Sequence, residues 1–392
     1  MNVNYEIKDQ VLTLEAAGKI DSGNANEWEN AINEILNKET FEELIMDADK
    51  LEYISSAGLR VILRLRKDNE SLKIINVNSD VYEIFDMTGF TEIVDIQKAY
   101  RTISVEGCEV IGQGANGKVY RIDADTIVKV YFNSDALPEI HRERELARTA
   151  FVSGVPTAIP YDVVRVGDSY GSVFELLNAK SYAKLLISGE KTIDEIAKMS
   201  IDLLKIIHST LVKPGIMPDM KEVALDWAMF LEDYLPADEY TKLFTLINNV
   251  PHDMHMMHGD YHIKNVMLQN GESLLIDMDT LCYGHPIFEL ASMYNAYRGF
   301  NETNHENSMD FMGVSYEVCG QLWDRLLQLY LDTDDQDYID AVEKKAMIVG
   351  YTRIMRRTIR RNGLNTPDGQ VIIENCRQKL AALLPVVDTL EF

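Results

Sequence analysis

Between His258 and Asp279 the chain concentrates the residue types that most restrict what it can be. A short apolar run, Met254, Met256 and Met257, leads into His258-Gly259-Asp260. Two apolar triplets, Val266-Met267-Leu268 and Leu274-Leu275-Ile276, then flank Asn270-Gly271. An Asn-Gly pair between apolar runs is a strong local signal for a two-residue β-hairpin, because both central residues of the favoured turn need positive φ. A hairpin here brings Asp260, Asn265 and Asp277 together at one end. Two carboxylates and an amide in that position can orient a hydroxyl and hold Mg2+, a hard cation that takes a few protein oxygens plus substrate phosphates. The stretch is predicted to be a phosphoryl-transfer centre.

His258-Gly259-Asp260-x-His262-x-x-Asn265, followed by Ile276-Asp277, resembles the catalytic and metal-binding loops of the aminoglycoside phosphotransferase and choline kinase group within the protein-kinase-like fold. That resemblance implies that Asp260 is the catalytic base and that Asn265 and Asp277 bind Mg2+. Protein kinases carry lysine where this chain has His262, a difference that favours the small-molecule branch.

Composition narrows the partners. The formal net charge of −25 opposes nonspecific binding to nucleic acid or to an anionic membrane, since both would repel the chain. An apolar fraction of 46% supplies real cores. Cys108, Cys282, Cys319 and Cys376 are scattered without a C-x-x-C pair and read as reduced thiols of a cytoplasmic protein. The N-terminus has no basic segment followed by an apolar one, and no stretch approaches the length of a membrane span.

The first hundred residues alternate strand and helix. Tyr5 and Ile7, then Val11, Leu12 and Leu14, read as two strands around a tight turn near Lys8-Asp9-Gln10. Ser22 is a candidate cap for a helix through Trp28, Ile32, Ile35 and Leu36. A strand at Leu44-Ile45-Met46, a helix from Leu59 to Leu65 and a strand from Leu72 to Val77 complete a small α/β layer domain. The segment Asp47 to Leu59, with Ser55-Ser56-Ala57-Gly58, resembles the signature loop of STAS domains, the family of anti-sigma factor antagonists, over roughly residues 1–100. The resemblance implies a phosphorylated serine at Ser56, although many antagonists have aspartate where this chain has Ser55. A serine at a helix N-terminus suits phosphate, given the free amides and the positive dipole end. Ser55 and Ser56 acting only as helix caps is the competing reading.

From Tyr100 the pattern changes. Gly112-x-Gly114-x-x-Gly117, flanked by β-forming residues, fits a kinase glycine-rich hairpin better than a dinucleotide fold. Glycines there let backbone amides approach phosphates. Lys129 sits inside the apolar strand Ile127-Val128-Lys129-Val130-Tyr131 and needs a partner. The resemblance implies that Lys129 contacts the α- and β-phosphates and that its glutamate partner lies on the next helix, about residues 135–152. Glu139, Glu143 and Glu145 compete there; helical spacing to Leu146, Ala147 and Ala150 favours Glu143, with Glu145 next. Two strands, Val163 to Val166 and Ser172 to Leu177, end in Glu175-Leu176-Leu177-Asn178, where the resemblance implies an adenine-binding hinge contributed by Glu175 and Leu177.

The remainder reads as helical: Ile193 to Leu211 with His208 as a C-terminal cap, Leu225 to Tyr234, Tyr240 to Asn249, and three more helices after Phe288. Glu289 stands where the family has aspartate, and Asp279 is placed either at metal or substrate or in solvent. Arg353, Arg356, Arg357, Arg360 and Arg361 recur at helical spacing and form one basic face opposite Ile348, Met355 and Ile359. That face either makes salt bridges within an acidic protein or docks an anionic substrate, a phosphoserine or the first domain.

The sequence thus predicts an α/β STAS-like domain (1–103) followed by an α+β two-lobed protein-kinase-like domain, with an N-lobe at 104–178 and a large helical C-lobe at 179–392. The expected activity is an ATP- and Mg2+-dependent phosphotransfer to a hydroxyl of an unidentified small molecule, regulated through the STAS domain, which is also a candidate surface for a protein partner. The alternatives are a protein-serine kinase acting on Ser56 or on a partner, and a nucleotide-binding regulatory module with little turnover.

Overall fold

The computed structural model describes residues 3–114, 116–177 and 179–392; Ala115 of the glycine-rich motif and Asn178 of the hinge motif lie outside the described residues. The chain divides into two compact units, one of residues 1–106 with 163–170, the other of residues 107–162 with 171–392.

The first unit is built on strands β1 (Tyr5–Lys8), β2 (Val11–Ile20), β3 (Glu43–Ile54), β4 (Lys73–Val77) and β5 (Asp95–Lys98), adjacent in that order. Only β1–β2 is antiparallel, closed by Asp9 and Gln10, both at positive φ. The other pairings are parallel and need crossovers. Helices α1 (Ala25–Lys38), α2 (Ser56–Asp68) and α3 (Ser79–Met87) supply them. Their apolar stripes, Trp28 and Ile32 on α1, Val61 and Ile62 on α2, Val81 and Phe85 on α3, cover Leu12, Leu14, Met46 and Ile74 of the sheet. A short strand, β6 (Arg101–Ile103), pairs in parallel with Val164–Val166. The cap of α1 differs from expectation: Asn24, not Ser22, is the N-cap, and its Oδ1 accepts from the Asp21 N–H rather than from the helix. α3 and β5 were not foreseen, because their apolar positions are too few to give a clear period.

In the second unit β7 (Glu109–Gln113), β8 (Gly117–Arg121) and β9 (Thr126–Tyr131) form an antiparallel meander. α4 (Leu137–Val152) follows; next in the chain, β10 (Asp162–Val166) belongs almost wholly to the first unit, while β11 (Ser169–Glu175), most of it in the second, pairs antiparallel with β9. Beyond β12 (Lys180–Ser181) the unit is mainly helical: α5 (Tyr182–Ile187), α6 (Ile193–Ser209), α7 (Met220–Phe230) and α8 (Ala237–Asn248). Four short strands, β13 (Met256–Met257), β14 (Val266–Gln269), β15 (Glu272–Leu275) and β16 (Cys282–Tyr283), carry the central loops. Five helices close the chain: α9 (Ile287–Tyr297), α10 (Glu306–Met312), α11 (Tyr316–Leu331), α12 (Gln336–Arg360) and α13 (Pro367–Leu383).

Those five exceed the three expected after Phe288, since Gly299, Gly313 and Asp332 break what reads as longer periodic segments. α6 opens on a full capping box, Thr192 with Glu195. Its far end corrects a second expectation. Thr210 is the C-cap, while the His208 ring is turned inward, with Nδ1 2.8 Å from Tyr330 Oη and Nε2 3.7 Å from Glu289. The sequence is therefore a small α/β domain followed by a kinase-like fold with mixed sheets and a helical C-terminal part. All four cysteines are unpaired, and among the described residues no helix is long and apolar enough to cross a membrane.

Candidate active site

The hairpin forms as its sequence demands. Asn270 and Gly271 take φ of 51° and 87°, closing β14 on β15 with Val266 opposite Leu275. The open end is where chemistry gathers. Ile276 N–H donates to the Asn265 carbonyl at 3.0 Å, so Asn265 and Asp277 leave the hairpin side by side. Asn265 Nδ2 donates to the Asp260 carbonyl at 3.0 Å, which ties the catalytic loop to them and leaves Asn265 Oδ1 as a donor atom for a cation. The expected convergence of Asp260, Asn265 and Asp277 is present.

The loop holding Asp260 is fixed from below. Glu289, at the start of α9 and fully buried, accepts the N–H groups of His258 at 2.5 Å and Gly259 at 3.1 Å. Burial alone would raise its carboxyl, but His208, His258 and the Gly259 amide outweigh that and hold it below the ordinary range. Gly259 has φ of 78°, and a Cβ there would lie 2.4 Å from the Thr280 carbonyl, so no other residue fits. Glu289 thus does the loop-anchoring work that the resemblance left open.

Asp260 is part-buried and lies 3.4 Å from Nε2 of His262. Desolvation pushes its carboxyl up, and the His262 hydrogen bond and charge, helped by His258 and Arg353, bring it down to about 2. His262 is itself buried, edge-on to Phe311 with centroids 5.1 Å apart.

Lys129 meets Glu143 as expected, and Asp277 as well, which was expected only as a metal ligand. Its Nζ is 3.0 Å from Glu143 on α4 and 2.9 Å from Asp277. Glu139 and Glu145 are not its partners. Desolvation would lower the ammonium, yet Glu143 and Asp277 together hold it well above the usual lysine range. Strand alternation puts Tyr131 on the Lys129 side of β9, and its hydroxyl donates to Glu143 at 2.5 Å. The sequence reading gives Tyr131 no role, although its period-two spacing from Lys129 places both on one face of the strand. Asp277 itself sits in the left-handed region (φ 63°, ψ 66°), which is uncommon for a residue with a side chain and aims its carboxylate at Lys129. Asp279 follows in the same turn. Desolvation first, then the charges of Asp277, Glu143 and Asp260, push its carboxyl up to about 6.

The glycine-rich hairpin joins β7 to β8. At Gly117 a Cβ would lie 2.3 Å from the Val130 carbonyl, so glycine is required for the strands to close. A Cβ at Gly114 would meet nothing within 4 Å, which leaves open space over its backbone. Gly112 lies at a register shift and makes only ordinary contact with Val119. A cavity of about 460 Å³ runs along Asn116, Tyr131, Ala136, Glu143 and Asp279. Glu175 is the last residue of β11, the Leu176 N–H is committed to the Asp125 carbonyl at 2.7 Å, and Leu177 lies beyond the strand. Ser56, in the other unit, is the exposed first residue of α2, while the capping oxygen belongs to Ser55, which accepts from Gly58 N–H at 3.5 Å.

The donor set fits Mg2+. Among the described residues no three His, Cys, Asp or Glu side chains form a metal cluster. An ion that keeps waters and takes phosphate oxygens needs only the Asn265 amide oxygen and the Asp277 carboxylate from the protein.

The fold and this constellation define a kinase-type phosphotransferase. Residues 107–327 match the Phosphotransferase enzyme family, and the chain belongs to that family. Residues 2–104 match the STAS domain, and the first unit is one. Over 100 residues it is 30% identical to a candidate anti-sigma factor antagonist, BtrV of Bordetella bronchiseptica, covering 24% of this chain and 85% of that protein. Among solved structures the chain is similar to a thermostable mutant of aminoglycoside phosphotransferase APH(4)-Ia bound to AMP-PNP and hygromycin B (12% identity, 72% of this chain, 94% of the other, TM-score 0.49). A choline/ethanolamine kinase family protein of Mesorhizobium loti is also similar (14% identity, 71% of this chain, 87% of the other, TM-score 0.45).

Proposed function

We propose that the chain transfers the γ-phosphoryl group of ATP to a hydroxyl of a small molecule, and that its STAS domain regulates the reaction. The observation that carries this reading is Lys129 held between Glu143 and Asp277, beside Asn265 and Asp260. Phosphoryl transfer asks a protein mainly for positioning and for charge placed where negative charge develops. Lys129 and the amides of the loop between Gly112 and Gly117 are suited to the nucleotide phosphates, and Glu175 and Leu177 to the adenine. Asp260 orients the acceptor hydroxyl and takes its proton as the oxygen bonds to phosphorus and the bond to the departing ADP oxygen breaks. Asn265 and Asp277 would hold Mg2+, which when bound would neutralise phosphate charge. Held below its ordinary range by His262, the Asp260 carboxyl stays ionised and can accept the hydroxyl's hydrogen bond, which suits a loose transition state in which the proton moves late.

A second reading is favoured by Ser56, whose hydroxyl is exposed at a helix N-terminus and is spared from capping by Ser55. There the phosphate acceptor is a STAS serine. Intact-mass spectrometry after incubation with ATP and Mg2+, with Asp260→Asn and Ser56→Ala alongside, separates the two. A phosphate gained by the wild type and absent from both variants supports the serine reading. ADP release that needs an added hydroxyl compound and Asp260, with no gain in protein mass, supports the small-molecule reading; ADP release equal in wild type and Asp260→Asn defeats both.

A further inference from the structure

The arginines of α12 divide in a way that their spacing does not reveal. Arg356 is used within the protein, with its Nη2 2.7 Å from Asp226. Arg353 is turned into the site: Nη1 donates to Ser292 Oγ at 2.8 Å and reaches the Gly259 carbonyl at 3.4 Å, immediately before Asp260. Ser292 Oγ in turn donates to that same carbonyl at 2.7 Å. One turn further along, Arg357 lies on the same side of the helix, close enough for Asp260 to act on its charge. Among the described residues neither Arg353 nor Arg357 has a carboxylate within ion-pair distance, in a chain of net charge −25.

The aromatic faces nearby are also taken. Arg353 lies 5.5 Å from the Trp227 centroid and Arg357 4.8 Å from that of Phe300. Lys264 lies 4.8 Å from the Phe311 centroid, on the ring that abuts His262. Rings that could have caged a cationic substrate are covered by the protein's own cations. Desolvation, with Arg361 and Arg353 adding repulsion, holds the Arg357 guanidinium below its ordinary range, as expected of a cation without a counter-ion.

We propose that Arg353 and Arg357 form the acceptor subsite, and that they bind the carboxylate or phosphate of an anionic hydroxyl compound whose hydroxyl Asp260 orients. Planar guanidinium groups suit both anions, and the Trp227 and Phe300 rings beside them restrict their positions beforehand. The inference rests on the phosphotransferase reading, and it names the substrate class as hydroxy acids or phosphorylated polyols rather than amines.

The test has two arms. In the first, the full chain loaded with AMP-PNP and Mg2+ is titrated calorimetrically with inorganic phosphate, as wild type, Arg357→Gln and Arg357→Lys. Binding should weaken about 10- to 100-fold in Arg357→Gln and less in Arg357→Lys, with AMP-PNP affinity unchanged. In the second, ADP formation is followed with glycerol, glycerol 3-phosphate, glycerate, choline and kanamycin. The anionic compounds should be the better acceptors, and Arg357→Gln should raise their KM with little change in kcat. Phosphate binding that is absent, or equal in wild type and Arg357→Gln, overturns the subsite. So does transfer to choline or kanamycin that Arg357→Gln leaves intact, an outcome that keeps the phosphotransferase reading. Arginine-dependent phosphate binding without turnover on any compound supports the subsite and counts against that reading.

Discussion

Lys129 and Arg357 are cations of one unit, and the fold treats them in opposite ways. Lys129 is largely buried between two carboxylates and a tyrosine ring. Arg357 rests on Phe300, and no carboxylate of the described residues comes within ion-pair distance. A buried ammonium needs its counter-charges to exist at all, because desolvating an unpaired ion costs more than a fold can offset. A guanidinium that is only partly desolvated can stay uncompensated, because water still reaches it and an aromatic ring lies beside it. The first arrangement is a charge network closed within the chain; the second leaves a cation beside a ring with no internal counter-ion among the described residues.

The largest expected effect tests whether the network serves chemistry. Asp260→Asn should lower turnover by ~10²–10⁴-fold while leaving nucleotide affinity near wild type, read from ADP release and from nucleotide titration. An equal fall in both would mean that the loop has collapsed rather than that a reacting group is missing. Lys129→Met comes next, with ~10²–10³-fold lost in kcat/KM. It should also lower the melting temperature, because Glu143 stays buried with the Tyr131 hydroxyl alone. If melting falls and turnover does not, Lys129 is only structural and the contrast with Arg357 disappears.

Two smaller effects test the backbone on which both regions depend. Gly117→Ala forces a Cβ against the Val130 carbonyl and should cost about 1–3 kcal/mol in chemical denaturation. The same change at Gly114 meets open space, and any effect there should fall on nucleotide affinity. In the STAS domain, Ser55→Ala removes the cap of α2 and should cost about 1 kcal/mol, whereas Ser56→Ala should leave stability unchanged. Equal costs would mean that both serines cap the helix and would weaken Ser56 as a phosphate acceptor.

Local chemistry was readable from the chain itself. Asn270-Gly271 between apolar triplets admits one tight turn, and that turn places Asn265 beside Asp277 whatever packs around it. Lys129 in an apolar strand demanded a carboxylate, and helical spacing singled out Glu143 among three candidates. The α/β layering of the first domain followed from alternating strand and helix patterns. Contacts between distant segments were not readable. Spacing places His208 at a helix end without telling which side it faces, and packing of α6 against α11 turned it toward Tyr330 and Glu289. Asn24 displaced Ser22 as the cap of α1 because the backbone enters the helix two residues later. The five arginines share one helical stripe in sequence, and only neighbours from remote segments set three of them apart. Asp226 neutralises Arg356, Ser292 and the Gly259 carbonyl hold Arg353, and Arg357 is left facing outward with a ring beneath it. Short-range rules of turn and period fix which residues stand together along the chain, but the counter-ion a charge receives depends on which remote segment packs against it, and that is decided only when the helices meet.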